Sequence, residues 1–199
     1  MTDRADRADP ASVLEFWFLA PDHPQYGQPR AEWFRKDDTF DAQIRTRFGA
    51  VIAQALQGGL REWDLAGPTG VLARILVLDQ FTRNAWRGAP ASFAGDALAL
   101  EAAIDLVDSA AHLALTPLQR WFAYMPFEHA EDMGMQDRAV ALFEALAAEH
   151  DGFADPLDYA RRHRAVIERF GRYPHRNAIL GRVSTAQELE FLALPGSGF

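Results

Sequence analysis

The sequence predicts an all-α protein, and three observations carry that expectation. Apolar residues recur at spacings of three and four nearly everywhere, helix-start signals punctuate the chain, and no run of roughly four to eight residues alternates apolar and polar between turn signals. Short links between the helical stretches imply antiparallel neighbours. The expected architecture is therefore an antiparallel array of about seven to nine helices, as in bundles or stacked helical hairpins.

Taken in order, the N-terminal MTDRADRADP is polar and charged, so residues 1–10 are expected to fray and are neither a signal peptide nor an anchor. Residues 11–199 are expected to form a single all-helical domain. Phe40, Ile44, Phe48, Val51, Ile52 and Leu56 make a helical stripe closed by Gly58 and Gly59. Residues 69–86, which include VLARILVL, are apolar almost all round and should be the central helix. Alanine-rich stretches at 96–115 and 138–149 suit close helix contacts. Thr116-Pro117-Leu118-Gln119 reads as a capping box with proline at the first helical position. Asp155-Pro156 starts a further helix, and Ser184-x-x-Gln187 opens the last. No clean repeat period or domain linker is legible.

Composition narrows the chemistry. With no cysteine, disulfides, zinc–thiolate sites, iron–sulfur clusters and thiol nucleophiles are excluded, and a cytoplasmic location is favoured. No apolar run approaches the roughly 20 residues of a membrane span, so no membrane partner is expected. A net charge of −8 argues against nucleic acid as the default partner. That charge is uneven. Residues 128–158 hold nine acids against Arg138, whereas residues 161–182 hold seven arginines and two histidines against Glu168. Either two neighbouring helices neutralise one another, or the basic segment holds an anion.

Several polar residues fall where apolar ones belong. At about 100° per residue, Asp79 and Arg83 lie within the arc of Leu72, Ile75, Leu76 and Trp86, as an i,i+4 acid–base pair. His163 falls within the arc of Tyr159, Val166, Ile167 and Phe170. Glu128, Glu131 and Asp132 would share one helical face with His129 at its edge, and Pro126 either kinks that helix or starts a new one. Neither the H-E-x-x-H nor the Glu-x-x-His metal spacing is present.

The stretches LDQFTRN (78–84), YMPFEHAED (124–132) and RFGRYPHRNAILGRVST (169–185) together resemble the uncharacterised bacterial family called domain of unknown function 924, from about Val13 to Leu192. Members of that family are similar to tetratricopeptide-like proteins, so the resemblance implies a tetratricopeptide-like superhelix or bundle. Serine commonly stands in the family where this chain has Ala130. The resemblance implies no reaction, substrate or catalytic residue.

The residues themselves suggest a polar pocket between helices that binds a small anionic metabolite, with hydrolase-like turnover. Arg83 and Arg176, with Asp79, Asn84, Arg172 and Asn177, would hold the ligand; Glu128, His129, His163 and His175 would carry protons. A divalent metal, magnesium or manganese, would sit on Glu128, Glu131 and Asp132. The EHAED stretch should meet His163 and residues 172–177 across one site, where a carboxylate would raise the proton affinity of His163. Two other readings compete: a non-enzymatic tetratricopeptide-like module that clasps a peptide or protein, and a purely structural polar network. Ser12, Ser92, Ser109 and Ser184 lie outside the motifs, and neither G-x-S-x-G nor a glycine-rich phosphate loop occurs.

Overall fold

A computed structural model describes residues 8–198. Among the described residues there are nine α-helices, joined by short 3-10 turns, and no strand. Most of the segment expected to fray, residues 1–7, lies outside the described residues. Helix α1 (Pro10–Phe18) starts on a reciprocal cap: Ser12 donates its N–H to Asp9 Oδ1 at 2.8 Å, and Asp9 N–H is accepted by Ser12 Oγ. The chain separates into two compact units, residues up to 87 with 91–126, and residues 88–90 with 127 onward.

In the first unit, the Asp37 carboxylate caps α2 (Asp38–Leu56) by accepting the N–H groups of Thr39 and Phe40. The predicted stripe is buried from Phe40 to Ile52, and Gly58 ends the segment with φ +80°, a conformation glycine adopts without steric cost. The predicted central helix is found as α3 (Pro68–Leu76), a π turn over Val77–Phe81, and α4 (Thr82–Ala85). Residues 72–82 are buried without interruption. Helices α1 and α5 (Asp96–Asp108) pack on α3, while α2 packs on the π turn and α4. The approach of α5 to the π turn requires glycine at its start, because a Cβ on Gly95 would lie 2.1 Å from the Leu78 carbonyl oxygen. Trp17, Phe48, Phe81 and Phe122 fill the core, each worth roughly 1.5–3 kcal/mol by burial. Helix α6 (Pro117–His129) begins with the predicted Thr116–Gln119 box.

The second unit is built on α7 (Met133–Glu149) and α8 (Ala154–Phe170), followed by the short α9 (Ala186–Leu192). Ion pairs Glu144–Arg161 at 2.8 Å and Asp137–Arg164 at 2.7 Å show that α7 and α8 run antiparallel. Part of the acidic and basic imbalance thus cancels across these two helices. The pairs are largely exposed, so solvent screening leaves them little weight in the stability of the fold. Two start signals shift. Helix α8 begins at Ala154, before Asp155-Pro156, and α9 is opened by Thr185 and Glu188, one residue beyond Ser184 and Gln187. The cause of the second shift is local: Ser184 Oγ already accepts from Asn177 Nδ2 at 3.0 Å, leaving Thr185 Oγ1 to take the Glu188 N–H. Among the described residues, no helix is long and apolar enough to cross a membrane.

Candidate functional site

The D-Q-F-x-R-N motif lies on the π turn and α4 of the first unit. A π turn inserts one residue into the helical repeat and is frequent at functional positions. Asp79 is fully buried; its Oδ2 accepts from Gln80 Nε2 at 2.6 Å, and its Oδ1 lies 2.9 Å from Arg83 Nη1. Arg83 also grips Asp96 with two hydrogen bonds, at 2.9 and 3.1 Å. The predicted Asp79–Arg83 pair therefore exists, with Asp96 as a third member that the sequence reading missed. Asn84 turns elsewhere and donates to Asp41 Oδ1 at 2.8 Å. Arg87 bonds the same carboxylate at 3.0 and 3.1 Å. Burial pushes the Asp41 carboxyl up, but the bonds from Arg87 and Asn84 outweigh it and hold the group below its ordinary range.

In the second unit the three carboxylates read as one face part company. Helix α6 ends at His129 and α7 begins at Met133, so Glu131 and Asp132 lie in the turn between them. Pro126 sits inside α6 and starts no new helix, which puts Glu128 in the last turn, where the helix dipole disfavours an acid. Asp132 caps α7 by accepting the Met135 N–H at 2.9 Å. Glu131 accepts the Tyr173 N–H at 2.7 Å and two bonds from Arg182 at 2.6 and 2.9 Å. Burial raises its carboxyl, yet Arg182 and the Tyr173 amide pull it below its ordinary range. Among the described residues no three histidines or acids are grouped to hold a metal. The expected magnesium or manganese site on Glu128, Glu131 and Asp132 is corrected on that geometry.

The carbonyls that α6 leaves unpaired at its end need donors. Gln136 supplies them from α7, its Nε2 lying 2.7 Å from Glu128 O, 2.8 Å from Ala130 O and 3.3 Å from Phe127 O. The Tyr173 hydroxyl donates to the same Glu128 carbonyl. Arg172 and Asn177, expected to hold a ligand, are committed to the fold. Arg172 grips Glu188 at 2.6 and 2.8 Å, and this pairing holds the Glu188 carboxyl down at about 2. Asn177 Oδ1 accepts from Arg182 Nε at 2.9 Å, and its amide donates to Ser184.

What remains gathers around the buried Tyr173 ring. The His163 and His175 rings stand 5.6 and 5.5 Å from it, and the Arg176 guanidinium lies 4.6 Å over its face. His129 is 6.3 Å from His163, ring to ring. Glu128, also buried, brings Oε2 to 4.0 Å from His163 Nδ1, which is beyond hydrogen-bond range. That nitrogen instead lies 2.8 Å from the Tyr159 carbonyl, which can only accept, so it carries the proton. The expected rise in the proton affinity of His163 is therefore reversed. Burial, reinforced by His129 and Arg176, lowers its pKa to about 3, against a weaker opposing bond to Tyr159. His175 falls to about 4 through burial and the neighbouring Arg176. Both rings are neutral near pH 7. Burial raises the Tyr173 hydroxyl well above its usual value. Beside the Arg176 guanidinium both rings are weak bases, and only an anion bound against them would raise their proton affinity.

The sequence profile described as bacterial protein of unknown function (DUF924) matches residues 13–196. The chain belongs to the DUF924 family. It is also similar to the solved structure of a protein of unknown function from Agrobacterium tumefaciens, with 38% identity, a TM-score of 0.79, and coverage of 92% of this chain and 96% of that one. No curated protein matches it in sequence. In this DUF924 chain Ala130, at the position where serine was expected, contributes its main-chain carbonyl to the Gln136 amide, a contact that needs no hydroxyl.

Proposed function

We propose that the cluster around Tyr173 binds a small anion and that a neutral histidine beside it acts as general base, in a hydrolase-like reaction. One observation carries this reading: Arg176, His163 and His175 surround a single buried ring, with Glu128 and His129 beside them. Arg176 supplies the charge that an anion requires, and His163 and His175, neutral at pH 7, become effective bases as the bound anion raises their pKa values from about 3 and 4. Asp79, Arg83 and Asn84 have no part in the proposed chemistry, since Asp96 and Asp41 account for Arg83 and Asn84.

A second reading, that the polar motifs are an internal network, draws support from Glu131, Asp132, Arg172 and Asn177, all of which serve the fold. Calorimetric titration with inorganic phosphate and with succinate, plus hydrolysis of p-nitrophenyl phosphate, separates the two. Binding that weakens in Arg176→Lys and turnover lost in His175→Gln, with melting temperatures kept, is expected of the anion site. Neither anion binding nor hydrolysis would leave the network reading in its place.

A further inference from the structure

Helices α3 and α5 of the first unit run antiparallel. Gly67 and Pro68, at the start of α3, line the same cleft as Ser109, at the end of α5, while Gly95 at the start of α5 packs on Leu78, beyond the end of α3. The cleft holds about 280 Å³, just under the roughly 300 Å³ at which drug-sized sites begin, so its occupant is small. We propose that it is a second ligand site, independent of the cluster around Tyr173, and that it takes a small aliphatic α-amino acid as the zwitterion. A buried cationic donor, an exposed carboxylate and an apolar wall carry this assignment.

The donor is Arg74, which is only 4% exposed. Its side chain leans back toward the start of α3, as helical side chains do, and grips Asp64 through Nε at 2.9 Å and Nη2 at 2.7 Å. Its third nitrogen, Nη1, has no hydrogen-bond partner among the described residues, and the residue lines the cleft. A donor of a buried guanidinium left without an acceptor is costly, and a carboxylate is the strongest acceptor for it. The first turn of α3 has neither a side-chain cap nor an acid, so its dipole adds positive potential on the same side. The α5 wall is negative. Asp105 is exposed in the last turn of α5, its carboxylate makes no hydrogen bond or ion pair among the described residues, and that turn contains no base. The helix dipole disfavours an acid there, and a ligand ammonium relieves the repulsion. Arg61, whose field reaches Asp105, is itself bound to Glu101 at 2.9 Å, and Asp64, the other acid of the lining, is spent on Arg74. Val71, Ala102 and Leu106 supply apolar surface that takes an aliphatic side chain out of water.

The test is calorimetric titration of the full chain with L-leucine, beside 4-methylpentanoate, which lacks the ammonium, and 3-methylbutylamine, which lacks the carboxylate. L-leucine is expected to bind tightest, with each analogue about tenfold weaker, the size of one lost charged hydrogen bond. Asp105→Asn should weaken L-leucine about tenfold and leave 4-methylpentanoate unchanged. Arg74→Lys, which keeps a charge for Asp64 but drops the spare donor, should weaken L-leucine and 4-methylpentanoate alike. Ser109→Trp, which fills the cleft from an exposed position, should abolish binding with the melting temperature kept, so the test does not depend on the buried Arg74 variant folding. His175→Gln should change nothing, so this proposal and the anion site stand or fall separately. An analogue binding as tightly as L-leucine, insensitivity to Asp105→Asn or to Ser109→Trp, or loss of binding in His175→Gln overturns the cleft site, as does no heat with L-leucine at about 10 mM.

Discussion

His163 donates its Nδ1–H to the carbonyl of Tyr159, one turn back on α8, at 2.8 Å. The bond is local to the helix and asks nothing of Glu128, which is why the ring can be buried and uncharged. A neutral buried imidazole has a consequence for stability that runs opposite to that of a histidine paired with a carboxylate.

Both His163 and His175 titrate lower in the folded chain, near 3 and 4, than their ordinary 6.5. Between those values the unfolded chain binds more protons, so stability rises with pH. The contribution is fully present above about 6.5 and drains away as pH falls toward 4, by an amount on the order of a few kcal/mol. Urea denaturation from pH 7 to pH 4 should show this slope, and His163→Gln should flatten it. An unchanged slope in that variant would mean that His163 is not the neutral, buried group described.

Asp79→Ala is expected to destabilise the chain by about 3 kcal/mol, the lower end for breaking a buried ion pair. The lower end applies because Asp96 still holds Arg83 when Asp79 is gone. Asp96→Ala with Asp79→Ala should therefore cost more than the sum of the two single changes, a coupling readable in a double-mutant cycle. Strict additivity would show that the two acids do not share the guanidinium.

Gln136→Met keeps the volume of a fully buried side chain but removes the donor shared by three carbonyls at the end of α6. A loss of about 2–3 kcal/mol is expected from unpaired buried acceptors, with Tyr173 still serving the Glu128 carbonyl. Chemical denaturation measures it. A loss under about 0.5 kcal/mol would mean that water reaches those carbonyls.

The helical class and the buried central segment were legible because periodicity at three and four residues reports burial directly, as the stripe from Phe40 to Ile52 shows. The inward Asp79–Arg83 pair was legible for the same reason. Its partner Asp96 was not, since an acid in the first turn of α5 reads as an ordinary helix starter. Asp41 was hidden differently. It lies beside Phe40 at the edge of the stripe, and only the fold brings Asn84 and Arg87 to it. The three-carboxylate face failed because a continuous helix was assumed past His129, where the turn actually hands Glu131 to Arg182 and Asp132 to α7. Tyr173 and Gln136, which organise the histidine cluster and the end of α6, gave no sequence signal at all; a buried tyrosine or glutamine is indistinguishable from a solvated one without its neighbours.

Glu131 offers the most discriminating last prediction, because its role is set by distance and its pH dependence by sign. Its carboxylate joins the Tyr173 amide to the Arg182 guanidinium, and Arg182 in turn reaches Asn177 and the Tyr173 carbonyl. One acid thus anchors the segment that positions His175 and Arg176. The site is about a quarter exposed, so solvent screening limits the cost of Glu131→Gln to about 1 kcal/mol at pH 7. The folded carboxyl titrates below its ordinary 4.5, so this stabilisation is present above that value and disappears as pH falls through the folded pKa. Wild type and Glu131→Gln should therefore differ in urea midpoint at pH 7 and converge once the pH falls below the folded pKa of Glu131. If the anion site proposed around Tyr173 is correct, the same variant should also weaken phosphate binding at pH 7 without removing any group that touches the anion. A midpoint difference that shows no decline across the acid titration would assign the loss to packing rather than to charge.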